Sequence, residues 1–399
     1  MNAPLHVRSL RIHRLAIPLR FRFEHAAAVR DTADPLIVEV AGGAPYAHEV
    51  GYGETLARPY VTGETPESAR EDIANLFALR LSSFRPATLA DALEFIEALP
   101  FQVGGRIVTA ARAAVELALL DLTCRVFRRR PADVVGWMGL PGFGSPGCVA
   151  AARYSGVVVG HTPGKLKAGL RLQRLYGLRD FKLKVAVAGW QERLQWAHQV
   201  LGKAIAQKKV TLRVDANGGW SLAEAQAALA VLERYGVCAL EQPLSDADDA
   251  ELPTLGGQTR CDLIADESLL TVSDAQRLIE GRGVRVLNIR IAKNGGLMPA
   301  LRIARLALGA GLQVQLGCLV GETSILSAAG LAFLEACPRV RFVEGAFGRF
   351  LLRGDVTRPA IRFGFGGHVR PRPGFGLGVA VDADALARLA AEPAHLLQF

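Results

Sequence analysis

The sequence lacks long apolar runs without charges, so it predicts no membrane-spanning helix. Its amino terminus does not have the pattern of a signal peptide either, because Arg8, Arg11 and Arg14 interrupt the apolar positions there. We therefore expect a cytoplasmic protein with no membrane partner. Of the 399 residues, 50% are hydrophobic and 21% are charged, a composition typical of a globular chain with ample core.

Cysteines are few, and their spacing argues against two common uses. The six cysteines are scattered through the chain, and none forms a CxxC motif. Without a secretion signal or the spacing of metal ligands, we expect reduced thiols. Cys318 differs from the others because it falls at the end of a predicted strand, beside the candidate site described below. No histidine lies close to it in sequence, so nothing marks it as a nucleophile.

Acidic residues are outnumbered by basic ones, which leaves a formal net charge of +9. A basic protein can bind nucleic acid, but the one dense cluster, at residues 128–130, is short and has no interleaved aromatic residues. We expect no nucleic-acid partner. The positive charge would instead help to attract a small carboxylate substrate.

Residues 1–130 are predicted to form an α+β domain. Strand patterns over residues 7–50 indicate a meander of three strands, and glycines punctuate the segment that follows. Helical periodicity then predicts three helices, at residues 65–83, 91–101 and 106–127. The third is the most apolar and is expected to be deeply buried. A linker from Pro131 to Pro146 would end this domain.

From residue 149 the pattern changes to alternating strands and helices. Such alternation predicts a parallel sheet, and eight strands favour closure into a barrel over residues 131–360. After the eighth strand comes a glycine-rich loop at residues 363–378 and a short helix at residues 381–390. The eight predicted strand runs are residues 154–160, 181–185, 211–218, 238–243, 262–268, 286–294, 313–322 and 340–346.

Charged residues recur at the ends of five consecutive predicted strands. The spacings between them are 31, 26, 25 and 27 residues, which suits one strand–helix unit each. In a parallel barrel the carboxyl ends of all strands open on one face, so these residues should converge on one cavity. They are Lys184, Asp215, Glu241, Asp266 and Lys293.

The three acids of this set predict a metal site. A lone acid at a strand end is more often a helix cap or an ion-pair partner. Three carboxylates at one barrel mouth would repel one another unless a cation neutralised them, and hard oxygen ligands suit Mg²⁺. We therefore expect Asp215, Glu241 and Asp266 to bind Mg²⁺.

The lysines predict acid–base chemistry. Lys182 and Lys184 lie two residues apart in one strand, so both side chains should point into the barrel. Burial of two ammonium groups side by side should depress the pKa of at least one of them. Lys293 belongs to the predicted sixth strand, opposite the second in a ring of eight. Two bases on opposite sides of a carbon can remove a proton from one face and return it to the other.

The motifs K-x-K, D-A-N, E-Q-P, D-E-S and K-x-G-G, in this order, resemble the enolase superfamily and within it the muconate lactonising enzyme subgroup. The resemblance extends to the G-Y-G-E stretch near the amino terminus, to the A-A-R-A-A-V-E-L-A-L-L-D-L helix and to the closing G-L-G-V segment. It therefore covers nearly the whole chain.

The resemblance implies a TIM-like (β/α)7β barrel, capped by the N-terminal α+β domain and by residues 361–399 returning to that domain. It implies Mg²⁺, with Mn²⁺ as a substitute, on the three acids, and Lys184 and Lys293 as the acid/base pair with Lys182 tuning Lys184. Asn217 and Glu267 would support these groups. Loops at residues 21–25 and 52–60 would close over a small carboxylate, and we expect a homo-oligomer.

The sequence also departs from the family pattern. The D-x-D motif with which dipeptide epimerases hold a substrate ammonium is absent after the eighth strand, where Glu344 is the only obvious acid. Glu322 is displaced by one position in the stretch that begins at Cys318, so a plain dipeptide is a doubtful substrate. Arg58 and Tyr60, in a capping loop, are candidate substrate contacts.

Three hypotheses remain open at this point. The leading one is a racemase or epimerase that forms an enediolate next to a carboxylate. The second is a cycloisomerase of an unsaturated diacid, or a dehydratase, using the same site. The third is a non-catalytic carboxylate-binding homologue.

Overall fold

The computed structural model describes residues 4–25, 28–144, 152–370 and 372–399. Pro146, the predicted end of the linker, and Cys148 lie outside the described residues. None of the described helices is long and apolar enough to cross a membrane.

The N-terminal part contains five strands rather than the predicted meander of three. β1, β4 and β5 form an antiparallel sheet, while β2 and β3 form a separate hairpin. The break between β1 and β2 was missed because apolar residues such as Ile12, Leu15 and Ile17 are buried on both sides of it; its local signal is the three-residue step from Ile12 to Leu15. The strands are β1 (Val7–Arg14), β2 (Ile17–His25), β3 (Ala28–Ala33), β4 (Leu36–Gly42) and β5 (Val50–Thr55).

Helices predominate in the next segment. A π-helical turn at Ile73–Phe77 joins α2 to α3, so these form the one continuous helix that was predicted. A small hairpin of β6 (Gln102–Val103) and β7 (Arg106–Ile107) precedes the longest helix. The helices are α1 (Pro59–Thr62), α2 (Pro66–Asp72), α3 (Ala78–Leu81), α4 (Leu89–Glu97), α5 (Thr109–Val126) and α6 (Val134–Trp137).

Helix α5 is buried on all sides, as its apolar sequence predicted. Every residue from Thr109 to Cys124 is buried, so the helix has no solvent face. Strand β5 lies against it because two glycines allow the contact. A Cβ atom on Gly53 would lie 1.9 Å from the carbonyl oxygen of Ala114, and one on Gly51 would lie 2.2 Å from that of Ala118. The G-Y-G-E stretch is therefore a helix-packing strand.

Eight parallel strands form the barrel. They are hydrogen-bonded in chain order, and a parallel bridge between Tyr154 and Val343 joins the last strand to the residues before the first. The strands are β8 (Gly156–Val158), β9 (Asp180–Lys184), β10 (Thr211–Asp215), β11 (Ala239–Glu241), β12 (Asp262–Ala265), β13 (Val286–Ile289), β14 (Gln313–Leu316) and β15 (Phe342–Val343).

Seven helices connect these strands, which gives the predicted (β/α)7β order. Several begin at a hydroxyl cap; for example, Ser221 accepts a hydrogen bond from the Glu224 amide, and the Glu224 carboxylate accepts one from the Ser221 amide. The helices are α7 (Pro163–Leu175), α8 (Trp190–Ala206), α9 (Leu222–Arg234), α10 (Leu252–Gly257), α11 (Val272–Gly281), α12 (Leu297–Gly309) and α13 (Ser324–Ala336).

The C-terminal residues return to the N-terminal sheet. After α14 (Gly348–Leu351), the chain forms the predicted short helix α15 (Ala383–Leu389). It then adds a strand that the sequence did not predict, β16 (His395–Gln398), which pairs antiparallel with β1. The predicted α/β barrel with an N-terminal capping domain is confirmed.

Two carboxylates of the N-terminal domain cap helices of the barrel. Glu54, at the end of β5, accepts hydrogen bonds from the amides of Thr323 (2.7 Å) and Leu326 (2.8 Å) at the start of α13. Glu116, in α5, accepts from the amides of Leu297 (3.2 Å) and Met298 (2.9 Å) at the start of α12. Helix N-termini present free N–H groups, so buried carboxylates there join the two domains.

Candidate active site

An apolar layer inside the barrel supports the site. Ala239, Ile264, Val286 and Phe342 form a small buried cluster. Two residues further along each of these strands, side chains on the same face reach the carboxyl end of the barrel. Those side chains belong to Glu241, Asp266, Asn288 and Glu344, and all four residues are buried.

Seven charged side chains form an alternating row across the barrel mouth. Starting from β9, Lys184 contacts Asp215, which contacts Lys182, which contacts Glu241. Arg290 then lies between Glu241 and Asp266, and Lys293 contacts Asp266 from the far side. All five residues predicted from strand-end spacing therefore converge, as do Lys182 and Arg290.

Lys184 contacts the first acid and the amide predicted to support it. Its Nζ donates to Asp215 Oδ2 (2.7 Å) and to Asn217 Oδ1 (2.6 Å). Asn217 adopts a positive φ of 47°, and its own amide donates to Glu267 Oε1 (3.0 Å). Burial raises the pKa of Glu267, and the Asp215 charge acts in the same direction. The second oxygen of Glu267 is buried without a hydrogen-bond partner among the described residues.

Lys182 is held as a cation, contrary to one reading of the K-x-K motif. Its Nζ lies 3.3 Å from Asp215 Oδ2, 3.1 Å from Glu241 Oε1 and 2.8 Å from Glu344 Oε1. Burial alone would lower the pKa of Lys182, but Glu241, Glu344 and Asp215 outweigh it and raise this pKa. The sequence predicted a depressed pKa for at least one of Lys182 and Lys184; at Lys182 the three surrounding carboxylates raise the pKa instead.

Glu241 is the central acid and is completely buried. It accepts hydrogen bonds from Asn288 Nδ2 (3.0 Å) and Gln315 Nε2 (2.9 Å), which fix its carboxylate between strands β11, β13 and β14. Burial and the neighbouring Asp215 raise the pKa of Glu241. The two amides stabilise the position of this carboxylate without adding charge.

Lys293 lies beyond the sixth barrel strand rather than in it. Strand β13 ends at Ile289, and Lys293 belongs to the turn that precedes α12. Its Nζ donates to Asp266 Oδ1 (2.8 Å) and to the Asn288 carbonyl (3.0 Å). Burial lowers the pKa of Lys293 well below its ordinary value, and Arg290 acts in the same direction. Asp266 is shared between Lys293 and Arg290, so its single negative charge can compensate only one positive charge.

Glu344, the only obvious acid of the eighth strand, is turned into the barrel. Its carboxylate pairs with Lys182 and with Arg213, whose guanidinium stacks on the Phe342 ring at 4.6 Å. Burial would raise the pKa of Glu344, but Lys182 and Arg213 outweigh it and lower this pKa to about 2. Glu344 is therefore occupied by protein cations.

A cavity with an empty volume of about 1050 Å³, including its open mouth, lies against this row of charges. The residues that line it include Tyr60, Cys318 and Glu322, together with Lys182, Lys184, Asn217 and Glu267. Burial raises the pKa of the Cys318 thiol, so it is not an activated nucleophile.

Arg58 differs from its expected position. It is only 1% exposed and does not belong to the cavity lining. Its guanidinium pairs with Asp34 (2.7 Å) and donates to the Ala57 carbonyl (3.1 Å). Arg58 lies behind the cavity wall because Asp34 supplies the partner that a substrate anion was expected to supply.

The donor set of Asp215, Glu241 and Asp266 fits a hard divalent cation in chemical type. All three are buried carboxylates that end or follow adjacent strands, and Asp215 and Glu241 are paired in register. Their oxygens are turned to lysine and arginine partners, so the described residues contain no group of three acids, histidines or cysteines close enough to hold an ion. The unpartnered Glu267 oxygen is a further oxygen donor in this region.

Sequence reasoning missed Arg290, Arg213, Asn288 and Gln315. Arg290 directly follows β13, so a stricter placement of the strand end would have found it. The other three lie within strands and face inward, where spacing between strand ends gives no signal.

Comparisons with known proteins agree with this geometry. Residues 166–385, more than half of the chain, match the family described as enolase C-terminal domain-like. An L-Ala-D/L-Glu epimerase of Clostridium acetobutylicum is 27% identical over 343 residues, which cover 82% of this chain and 86% of the relative. A chloromuconate cycloisomerase of Cupriavidus necator is 26% identical over 350 residues, covering 88% and 89%.

The fold is shared with solved structures as well. A dipeptide epimerase from Cytophaga hutchinsonii, solved with Mg and the dipeptide D-Ala-L-Val, has a TM-score of 0.81 at 22% identity, covering 98% of this chain and 99% of that one. Members of this superfamily generally bind Mg²⁺. The chain therefore belongs to the enolase superfamily, and it is an isomerase of the muconate lactonising enzyme-like group.

Proposed function

We propose that the protein is a racemase or epimerase that moves a proton at the carbon next to a substrate carboxylate. The observation that supports this is the placement of Lys184 and Lys293. One ends β9 and the other follows β13, four strands apart in a ring of eight, and both reach the same row of carboxylates. A carbon held between them would face an amine on each side.

Asp215, Glu241 and Asp266 would hold Mg²⁺, for which Mn²⁺ could substitute. When bound, the ion would supply positive charge beside the substrate carboxylate and so favour the enediolate that forms when the proton leaves. These three acids provide the hard oxygen ligands, and Asn288 and Gln315 keep the central one, Glu241, in position.

The two lysines would carry the proton transfer. Burial lowers the pKa of Lys293 well below its ordinary value, which is the direction that favours the neutral amine of a general base. Lys184 shares Asp215 with Lys182, since the two Nζ atoms lie 2.7 and 3.3 Å from the same oxygen. Lys182 therefore limits how strongly Asp215 can stabilise the Lys184 ammonium, which is the tuning role that we propose for it.

A cycloisomerase is the second candidate, since a chloromuconate cycloisomerase is among the relatives. The same residues would then act on an unsaturated diacid, or eliminate water from a hydroxy acid, with one lysine as base and the other as a charge. Analysis of the products formed from a panel of carboxylates separates this candidate from the first.

Solvent exchange tests the proposal directly. Single enantiomers of acyl-amino acids, diacids and hydroxy acids are incubated in D₂O with Mg²⁺ and followed by proton NMR. We expect deuterium at the α-carbon in both enantiomers. In Lys184→Gln and in Lys293→Gln, exchange should fall by roughly 10²–10⁴-fold for one enantiomer, a different one in each variant.

Turnover without deuterium at that carbon would refute the two-base proposal. Tight carboxylate binding without exchange, and unchanged by Lys184→Gln, would instead identify a non-catalytic carboxylate-binding homologue.

A further inference from the structure

The cavity has two chemically different halves. Its inner wall carries three cations of the row described above, Lys182, Lys184 and Arg290, together with Glu344, Asn217 and Glu267. Its outer wall is apolar and aromatic; the described residues there include Phe21, Val159, Leu319, Phe347, Phe350 and Leu351. A substrate whose carboxylate lies at the inner wall must therefore place its remote part against apolar side chains, where an unpaired charge is costly to desolvate.

Glu322 lines the cavity beside Leu319, one of these apolar residues. It is in the loop between β14 and α13, and its Oε1 accepts a hydrogen bond from the Leu319 amide at 2.6 Å. None of the ion pairs among the described residues involves its carboxylate, so no protein cation neutralises it there. Glu322 differs in this from Glu344, which two protein cations hold.

The groups around Glu322 favour its neutral form. Burial raises the pKa of Glu322 to about 8, and the carboxylates of Glu54 and Glu344 act in the same direction. The Leu319 amide and the Arg290 guanidinium oppose this shift without cancelling it. The neighbouring Cys318 thiol is itself kept neutral by burial. At neutral pH the second oxygen can therefore carry a proton.

We infer that the outer half of the cavity is a subsite for an uncharged, apolar substituent, and that Glu322 donates a hydrogen bond from its carboxylic acid group to a carbonyl oxygen of that substituent. This inference rests on the proposed function, because it assumes that the substrate carboxylate occupies the inner wall. It names the substrate class as carboxylic acids that bear an uncharged acyl group with an apolar chain.

Two alternatives fit this subsite less well. A substrate ammonium would need an ionised partner, but Glu344 is occupied and the positions after it are Gly345 and Ala346. A substrate with a second carboxylate would place that charge against an apolar wall beside Glu322, without a described cation in the outer half. An uncharged carbonyl oxygen can accept the hydrogen bond of Glu322, and the apolar chain attached to it can pack against the apolar wall.

The test compares substrates and variants at Glu322. Matched amino acids carrying a benzoyl, an N-terminal glycyl or a succinyl group are assayed for α-proton exchange. We expect the benzoyl compound to have at least a tenfold higher kcat/KM than either charged compound. Glu322→Gln, which keeps one donor and one acceptor, should leave KM within about threefold, whereas Glu322→Leu should raise KM at least tenfold with a smaller change in kcat.

The pH profile gives a second readout. As pH rises above about 8, Glu322 ionises and loses its donor, so the wild-type KM for the benzoyl compound should rise. Glu322→Gln should show no such rise, and Glu280→Gln, an exposed site on α11, should behave as wild type. Preference for a charged compound, or a KM of Glu322→Gln as high as that of Glu322→Leu, would overturn the inference.

Calorimetry separates this result from a failure of the proposed function. If no compound exchanges its α-proton, the proposed function fails, but binding of the benzoyl compound to wild type and to Glu322→Leu can still be measured. At least tenfold tighter binding to wild type than to Glu322→Leu would support the subsite, and equal binding would overturn it.

Discussion

Replacing Glu116 by alanine should destabilise the protein and impair only one of the two proton transfers. Glu116 is completely buried in α5, and its carboxylate accepts hydrogen bonds from the Leu297 and Met298 amides. In the alanine variant both donors lose their acceptor, at about 1–3 kcal/mol each. Burial raises the pKa of Glu116, so removing a costly buried carboxylate offsets part of this loss. We expect the free energy of unfolding to fall by about 2–4 kcal/mol.

The functional effect follows from where these contacts lie. The turn that carries Lys293 runs into Leu297, and Arg112 of the same helix α5 donates to the Gly295 carbonyl in that turn. Gly296 has a φ of +122°, and a Cβ atom there would lie 2.4 Å from the Glu116 carboxyl carbon, so the turn is packed directly on this acid. Loosening it should displace Lys293 and not Lys184. A shift of about 1 Å in a reacting group can cost roughly 100-fold in rate.

The assays are urea unfolding and exchange of each enantiomer in D₂O. Glu116→Gln keeps an acceptor and should restore part of both losses. Glu97→Ala is the matched control, because Glu97 pairs with Arg302 of α12 at the surface, with the two side chains 33% and 39% exposed. That change should cost about 0–1 kcal/mol and leave exchange unaltered. A loss below about 1 kcal/mol for Glu116→Ala, or equal loss of exchange in both enantiomers, would refute the reasoning.

Three further changes have distinct expected outcomes. Asp215→Asn should weaken Mn²⁺ binding at least tenfold by calorimetry; unchanged affinity would mean that Asp215 is not a ligand. Burial raises the pKa of Glu54 to about 7, so folding loses stability as pH rises from about 4.5 to 7, by up to about 3 kcal/mol. Glu54→Gln should lack this loss. If urea unfolding showed the same change in stability between pH 5 and pH 7.5 for the wild type and for Glu54→Gln, the prediction would be wrong. Arg58→Met should lower the free energy of unfolding by about 2–4 kcal/mol, because Asp34 loses its buried partner, but leave KM within threefold; a tenfold rise in KM would assign Arg58 to the substrate after all.

The sequence predicted the barrel and the main site residues because a strand–helix unit has a nearly fixed length. Lys184, Asp215, Glu241 and Asp266 recur at that interval, and each ends or directly follows its strand. Lys293 falls at the same interval although it lies in the long turn after β13, beyond the end of the strand. The sequence therefore predicted the correct face of the barrel for Lys293 but the wrong element.

Properties set by contacts between distant residues could not be read in this way. The raised pKa of Lys182 depends on Glu344, which lies 162 residues further along the chain. Similarly, the burial of Arg58 depends on Asp34 in the loop between β3 and β4, and nothing in the local pattern distinguishes a buried arginine from a solvated one. The break between β1 and β2 was missed because its local signal is a single three-residue step between the apolar residues Ile12 and Leu15.

Helix α5 has a consequence for how the protein can be divided. Its first sixteen residues are buried against both the N-terminal sheet and the barrel, so neither domain provides the whole of its surroundings. A fragment cut at residue 130 would leave part of this helix exposed as bare apolar surface, and a barrel cut there would lack the carboxylates that cap α12 and α13. Cap and barrel therefore depend on each other to fold, and a cap exchanged between relatives would have to keep its contacts with the barrel through α5.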